Sequence, residues 1–363
     1  MNRHAAQKPT WSRRRWLRSV LSFGCAGSAL PAFGARTPAA LRFPRDYGAH
    51  SDALTEWWYI TGWLRDEGAN ALGIQVTFFR SRPRVQDNNP SRFAPKQLLF
   101  AHAALSDPAA RSLQHDQRAA RAGFGLAQAA EGTTDVHIDD WSLLLEGAQY
   151  RARIGARAFD FALEFEPTQA VLLEGQEGFS RKGPLPGEAS RYYSFPHLAV
   201  RGHVLTRARA RAVSGLAWLD HEWSNNYLSK AAAGWDWIGI NLDDGAALMA
   251  FRIRSKRGGQ YWASATHRTA KGLVYTLPPV DVEFQPLRHW RSPHTGVNYP
   301  VAMRVRAGDL ALELQPLMED QELDSRASTG AIYWEGAVEA KQSGKSVGRG
   351  YLELTGYAAP VQM

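Results

Sequence analysis

Two stretches of this chain, about 180 residues apart, carry the same strand pattern. "EWWYITGWL" (56–64), a Gly-bearing turn and "ALGIQVTFFR" (71–80) form the first. "GWDWIGINL" (234–242), the turn "DDG" and "AALMAFRIRS" (246–255) form the second. Each opens with an aromatic cluster, crosses a turn containing Gly, and closes on an aromatic followed by Arg and Ser. Aromatic and β-branched runs joined by a Gly turn specify a β-hairpin. The spacing is too long for a solenoid repeat. The two hairpins therefore read as the openings of two related domains.

Other segments read as strands too: "AHAALSD" (101–107), "YRARIGARAFDFALEFEP" (150–167), "HLAVRGHVLT" (197–206) and "RGYLELTGY" (349–357). Helical periodicity is scarce. The Ala-rich "AARSLQHDQRAARAGFGLAQAA" (109–130) reads as a short helix or a loop over one barrel mouth. Many short strands with few helices mean a sandwich or a barrel. A chain of 363 residues with 44% hydrophobic residues has the length and apolar content for two barrels of about 150 residues each. The expected fold is all-β, two tandem antiparallel barrels over 41–223 and 224–363, behind an amino-terminal segment at 1–34.

That segment reads as a cleaved export signal. The first 35 residues hold six Lys or Arg and no acid, and "SRRRWLR" precedes the apolar run "SVLSFGCAGSALPAFGA". A charged head, an apolar stretch and a small-residue end form a secretion signal. The Arg13-Arg14 pair followed by an aromatic and Leu fits the twin-arginine route. The expected location is therefore periplasmic or exported. The run is too short and too Gly-rich for a permanent anchor. Without it, 37 Lys and Arg face 35 Asp and Glu, so the formal +8 falls to about +2. Charge then gives no reason to expect a nucleic-acid partner. Cys25, the one cysteine, lies in the same segment. The mature chain thus offers no disulfide, thiolate ligand or Cys nucleophile.

The densest chemistry lies in "WLDHEWSNNY" (218–227). On a strand, Asp220 and Glu222 share one face while His221 and Trp223 take the other. One pair is expected to line a cavity, and the other to tie the barrel to its neighbour. "HEWSN" starts like the zinc-protease motif but has Asn225 where the second His is required. "GKSVG" (344–348) spells a nucleophile elbow, yet no histidine follows His294. No metal or other cofactor is expected. "TRARARA" (206–212) reads as a solvated face bearing Arg207, Arg209 and Arg211. Trp57, Trp58, Tyr59, Tyr192, Tyr193, Trp218, Trp223, Trp235 and Trp237 fall in strands expected near the barrel interiors, and the tryptophans alternate with Glu56, Asp220, Glu222 and Asp236. A dry core disfavours so many carboxylates, whereas an aromatic cavity with a few polar groups is the composition of a ligand pocket.

"FPRDYGAHSDALTEWWYITGWL", "YYSFP", "GLAWLDHEWS", "GWDWIGINL" and "YWEG…GYLELTGY" resemble the bacterial lipocalin-like family of AttH and the carotenoid 1,2-hydratases. The resemblance runs from about residue 41 to the carboxyl terminus and implies two lipocalin-like (calycin) barrels. His221 and Trp223 match the hydratase motif and are the expected ligand-facing pair. The hydratases' proton-donating aspartate falls in a region that reads "AALMAFRIRS" here, without a carboxylate. AttH-type members look like exported partners of ABC export systems. Two functions follow. One is an exported carrier for an apolar isoprenoid, carotenoid or lipid ligand. The other is a hydro-lyase or hydrolase on such a molecule. Candidate acid–base residues are His221, Asp220, Glu222 and Asp236. Candidate ligand contacts are Glu56, Trp57, Trp58, Tyr59, Tyr193, Trp223, Trp235 and Trp237.

Overall fold

A computed structural model describes residues 40–83, 89–91, 94–206 and 209–361. The export-signal reading of residues 1–34 and the side chain of Arg207 lie outside them. The described residues form one compact unit built almost wholly of strands. The first thirteen strands are β1 Thr55–Asp66, β2 Ala71–Ser81, β3 Leu98–Ser106, β4 Gln114–Arg121, β5 Ala127–Ala129, β6 Asp135–Ile138, β7 Trp141–Glu146, β8 Gln149–Gly155, β9 Phe159–Pro167, β10 Leu172–Leu173, β11 Phe179–Arg181, β12 Ala189–Thr206 and β13 Ala210–Asn226. They form one antiparallel sheet in the order β4-β3-β2-β1-β13-β12-β9-β8-β7-β6-β5, with β10 and β11 on β12. The sheet curls into a nearly closed barrel. Arg118 of the edge strand β4 reaches the far part of the sheet, where it donates to the Gly155 carbonyl at the end of β8 at 3.1 Å and pairs with Asp140 in the β6–β7 turn.

The second sheet comprises β14 Ala232–Leu242, β15 Ala247–Ser255, β16 Gln260–Arg268, β17 Val274–Leu277, β18 Val282–Arg291, β19 Asn298–Ala307, β20 Leu310–Pro316, β21 Glu322–Ser325, β22 Ala331–Gln342 and β23 Lys345–Leu354. Its order is β17-β16-β15-β14-β23-β22-β20-β19-β18, with β21 on β22. The two hairpins read from the sequence are β1–β2 and β14–β15. Gly245 takes φ +89° in the second turn, a conformation that costs a residue without Cβ little. The 109–130 stretch, expected as a helix or mouth loop, instead contributes strands β4 and β5. β4 is half-exposed along its length, so its polar residues show no apolar period to read. Arg211 also departs from the expected solvated face. It is buried and pairs with Asp107 at 2.9 Å.

Three large apolar clusters form among the described residues, beside a small one of Ala104, Leu323 and Tyr333. One fills the first barrel, around Trp58, Phe78, Trp141 and Phe165. One fills the second, around Ile240, Phe284, Met303 and Trp334. The third lies between the sheets and joins Tyr59, Tyr192 and Trp218 of the first to Trp237, Met249, Phe251 and Tyr351 of the second. β8 and β9 face a core on one side only and alternate buried with exposed residues. Residues 217–224 of β13 are buried without a break, because both faces of that strand are covered. Packing at the seam is close: a Cβ on Gly73 would lie 2.6 Å from the Tyr351 hydroxyl. No helix among the described residues is long and apolar enough to cross a membrane.

The two hairpins hold equivalent ion pairs. Glu56 and Arg80 are register partners on β1 and β2, with Nε to Oε2 at 2.7 Å. Asp236 and Arg252 are register partners on β14 and β15, with Nε to Oδ2 at 2.9 Å. Each pair lies inside its own barrel. Removing one partner of a buried pair strands the other charge, at a cost of about 3–5 kcal/mol. Arg80→Leu is therefore expected to destabilise the fold by about that amount in urea unfolding, and the double variant with Glu56→Leu to recover much of it. A loss below about 1 kcal/mol for Arg80→Leu would contradict the pairing.

Candidate functional site

β13 runs between β1 and β12, and the register sets which side chains meet. Trp57, Trp58 and Tyr59 lie opposite Glu222, His221 and Asp220, while Tyr192, Tyr193 and Ser194 lie opposite the same three from the other side. Alternation then sorts them. Trp57, Tyr59, Tyr192, Ser194, Asp220 and Glu222 point to the seam between the sheets. Glu56, Trp58, Tyr193, His221 and Trp223 point into the first barrel. On β14, Trp235 and Trp237 reach the seam and Asp236 turns into the second barrel. The candidates from the sequence therefore occupy three places.

Inside the first barrel the polar groups satisfy one another. Glu56 Oε1 lies 2.9 Å from His221 Nε2 and 2.7 Å from His50 Nδ1, and Oε2 takes the Arg80 bond. His221 Nδ1 lies 2.9 Å from the Tyr193 hydroxyl, and His50 stacks on Trp223 at 3.6 Å between ring centres. Burial raises the Glu56 pKa, but its bonds to His221 and His50 and the charges of His221 and Arg80 outweigh that and hold it well below the usual carboxylate range. Burial is the largest influence on His221 and pushes its pKa down. His50, Glu56 and His221 bring their donor atoms within 4.8 Å of one another, a donor set of the kind that holds zinc. However, both ring nitrogens already bond one carboxylate oxygen, and Arg80 holds the other. A cation there would have to break three hydrogen bonds beside a guanidinium. The arrangement is that of a structural network. His221 is wholly buried within it, and the cavity described next is lined by the other pair, Asp220 and Glu222.

That cavity lies in the seam and has a volume of about 90 Å³. Its walls are aromatic: Trp57, Tyr59, Phe79, Tyr192, Tyr227, Trp235, Trp237 and Tyr333, with Thr77. Four carboxyl groups line it, Asp220 and Glu222 from β13, Glu335 from β22 and Glu353 from β23. Asp220 accepts hydrogen bonds of 2.6 Å each from Ser194, Tyr192 and Trp218. Burial outweighs these donors and pushes its pKa up to about 7, and Glu222 nearby adds to the rise. Glu222 is raised by burial, while Lys182, 1% exposed and 2.7 Å away, favours its charge. Lys182 itself lies over Phe251 at 4.1 Å and Tyr192 at 4.9 Å from the ring centres. Such contacts offset the cost of burying a cation.

Glu335 and Glu353 are directly opposed on neighbouring strands. Like charges so placed repel, and the pair holds on to a proton. Few donors support charge there: Trp235 Nε1 lies 3.2 Å from Glu353, and the Tyr59 hydroxyl is the side-chain donor that favours charge on Glu335. Burial raises both pKa values; the Glu353 charge adds to the rise at Glu335, and the charges of Asp220, Glu222 and Asp236 add to the rise at Glu353, which is pushed up to about 7. The site thus combines one carboxyl set rich in donors with another poor in them, inside an aromatic cavity. That difference is the basis for assigning a base and an acid.

Sequence reading did not assign Glu335, Glu353, Tyr227, Phe79, Thr77 or Tyr333 to the cavity, nor His50 and Arg80 to the inner network. A signal for two of them existed. "YWEG" and "YLEL" each set a glutamate within an apolar strand. β15 brings no carboxylate to the cavity; Glu335 and Glu353 enter it from β22 and β23, on the other side of β14.

The comparisons with known proteins agree with this architecture. A family model described as AttH-like matches residues 34–357. A crystal structure of a Nitrosomonas europaea protein assigned to AttH superposes with a TM-score of 0.83 at 52% identity, over 88% of this chain and 98% of that one. Kievitone hydratase from Nectria haematococca shares the fold with a TM-score of 0.68 at 16% identity, over 90% and 95% of the two chains. CghA in complex with Sch210972 is more distant, with a TM-score of 0.50 at 12% identity over 84% and 89%. Among curated proteins none matches. The recurring hairpins, the two sheets and the match along nearly the whole described chain lead to one conclusion: this protein belongs to the AttH-like family.

Proposed function

We propose that the seam cavity is the active site of an acid–base hydro-lyase, which adds water across a carbon–carbon double bond of an apolar isoprenoid or lipid substrate. One observation carries this reading. Four carboxyl groups with opposed surroundings, three of them buried and Glu353 half-buried, line an aromatic cavity. A simple carrier for an apolar ligand has no need of them, since each costs desolvation energy.

The chemistry follows from the proton inventory. The Glu335–Glu353 pair retains a proton and gives it to one alkene carbon, leaving a carbocation on the other. Ring faces of Trp57, Tyr59 and Trp237 stabilise that charge. Water attacks the cation as Asp220 accepts its proton, and the catalyst is restored when that proton returns to the glutamate pair. A base with a pKa of about 7 is matched to neutral pH. The Lys182–Glu222 ion pair keeps one carboxylate charged nearby and so disfavours a second charge on the glutamate pair. The hydratase activity named for the Nectria protein, which shares the fold, fits this reading.

Prenol serves as a probe, because hydration of its trisubstituted alkene adds 18 mass units. The base must be deprotonated to act, so kcat/KM is expected to rise with pH through about 7. Asp220→Asn should lower kcat at least about 100-fold while prenol still quenches the cavity tryptophans. Wild-type binding of prenol without any hydration would leave the carrier reading in its place.

The Arg-rich head and apolar run at the amino terminus support a second part of the proposal: the enzyme works outside the cytoplasm, beside an ABC export system. Changing Arg13 and Arg14 together to Lys should leave unprocessed precursor in the cytoplasm. Normal processing of that variant would assign export to the general secretory route.

A further inference from the structure

His102 of β3 plays no part in the chemistry above, yet it touches the cavity wall from behind. Its Nδ1 lies 2.8 Å from the hydroxyl of Tyr333, a cavity residue, and its Nε2 lies 2.9 Å from the Ser328 hydroxyl. A serine on a histidine invites a nucleophilic reading, but the outer bonds exclude it. Gln117 Nε2 donates to the Asp324 carbonyl at 2.8 Å, so Gln117 Oε1 is the atom facing Ser328 Oγ at 2.6 Å. That oxygen can only accept, and so can the Ser325 carbonyl 3.2 Å from the same hydroxyl. The single Ser328 proton is therefore directed away from His102. Ser328 must accept from His102, which places a proton on Nε2.

Burial, with a smaller contribution from His115, pushes the His102 pKa down to about 3, so the ring is neutral and carries one proton. With that proton on Nε2, Nδ1 is bare and takes the Tyr333 proton. The Tyr333 oxygen then has only lone pairs to offer a group in the cavity that Tyr333 lines.

We propose that His102 is a positioning residue, which draws the Tyr333 proton out of the cavity and so makes Tyr333 an acceptor for an O–H group of the reacting molecule. That group is the attacking water or, in the reverse direction, the hydroxyl of a tertiary alcohol. The assignment rests on the hydro-lyase reading for the identity of the O–H group. The hydrogen-bond direction stands apart from that reading.

Two measurements on the mature protein test it. In a long-range ¹H–¹⁵N spectrum, the histidine whose signal vanishes in His102→Asn should be protonated at Nε2. Protonation at Nδ1 would overturn the proposal. Binding of 2-methyl-2-butanol and of 2-methyl-2-butene, one with a hydroxyl and one without, is then followed by tryptophan fluorescence. His102→Leu should weaken the alcohol about 3- to 10-fold and leave the alkene within about twofold. His102→Asn, whose amide oxygen can accept from Tyr333, should restore the alcohol. Equal losses for both probes, or no rescue by Asn, would make His102 a packing residue. If prenol is never hydrated but the alcohol is still distinguished in this way, the hydro-lyase reading fails and the role of His102 stands.

Discussion

Strand β13 is a wall shared by two cores, and the rest of the structure depends on that sharing. Its inward face closes the first barrel with Leu219, His221 and Trp223. Its outward face meets the second sheet with Trp218, Asp220 and Glu222. A one-residue slip against β1 would exchange the two sets. The inner network would then face the seam, and two carboxylates would lie inside the barrel away from Lys182. Long ladders with β1 and β12 hold the register against that slip.

The acids of the two hairpins and of the seam fall into two kinds. Those inside the barrels, Glu56 and Asp236, each bond an arginine that is their direct register partner, and each has further donors. Their charge is stabilised and they tie one hairpin together. Those in the seam have no arginine: three lack a cationic partner, and Glu222 has a lysine. Burial then governs and raises their pKa values. A fold that can pair its buried acids so fully in two places, yet leaves a cluster less supported in a third, keeps that cluster where an aromatic cavity meets it. Perturbed acids in a cleft are a mark of chemistry.

The seam also explains why the two sheets form one unit. Neither barrel by itself encloses the cavity, since Asp220 and Glu222 come from one and Glu335 and Glu353 from the other. His102 and Tyr333 repeat the pattern, as their hydrogen bond joins β3 to β22. The cavity, its acids and the histidine behind it are products of one apolar interface.

Local pattern was enough for much of this. Period-two alternation and Gly turns disclosed both hairpins and their kinship, and the Arg that follows each closing aromatic proved to be the partner of a buried acid. The same alternation sorted Asp220 and Glu222 from His221 and Trp223, because side-chain direction along a strand is a property of the backbone alone. Which of those two faces meets a cavity is another matter. It depends on what packs against the sheet, and β14, β22 and β23 arrive there from more distant parts of the chain. For the same reason Glu335 and Glu353 could not be matched to Asp220, and His102 could not be matched to Tyr333, 231 residues away. A strand's sequence determines its two faces; only the tertiary structure decides what each face meets, because burial and charge at a site are set by neighbours the local chain does not contain.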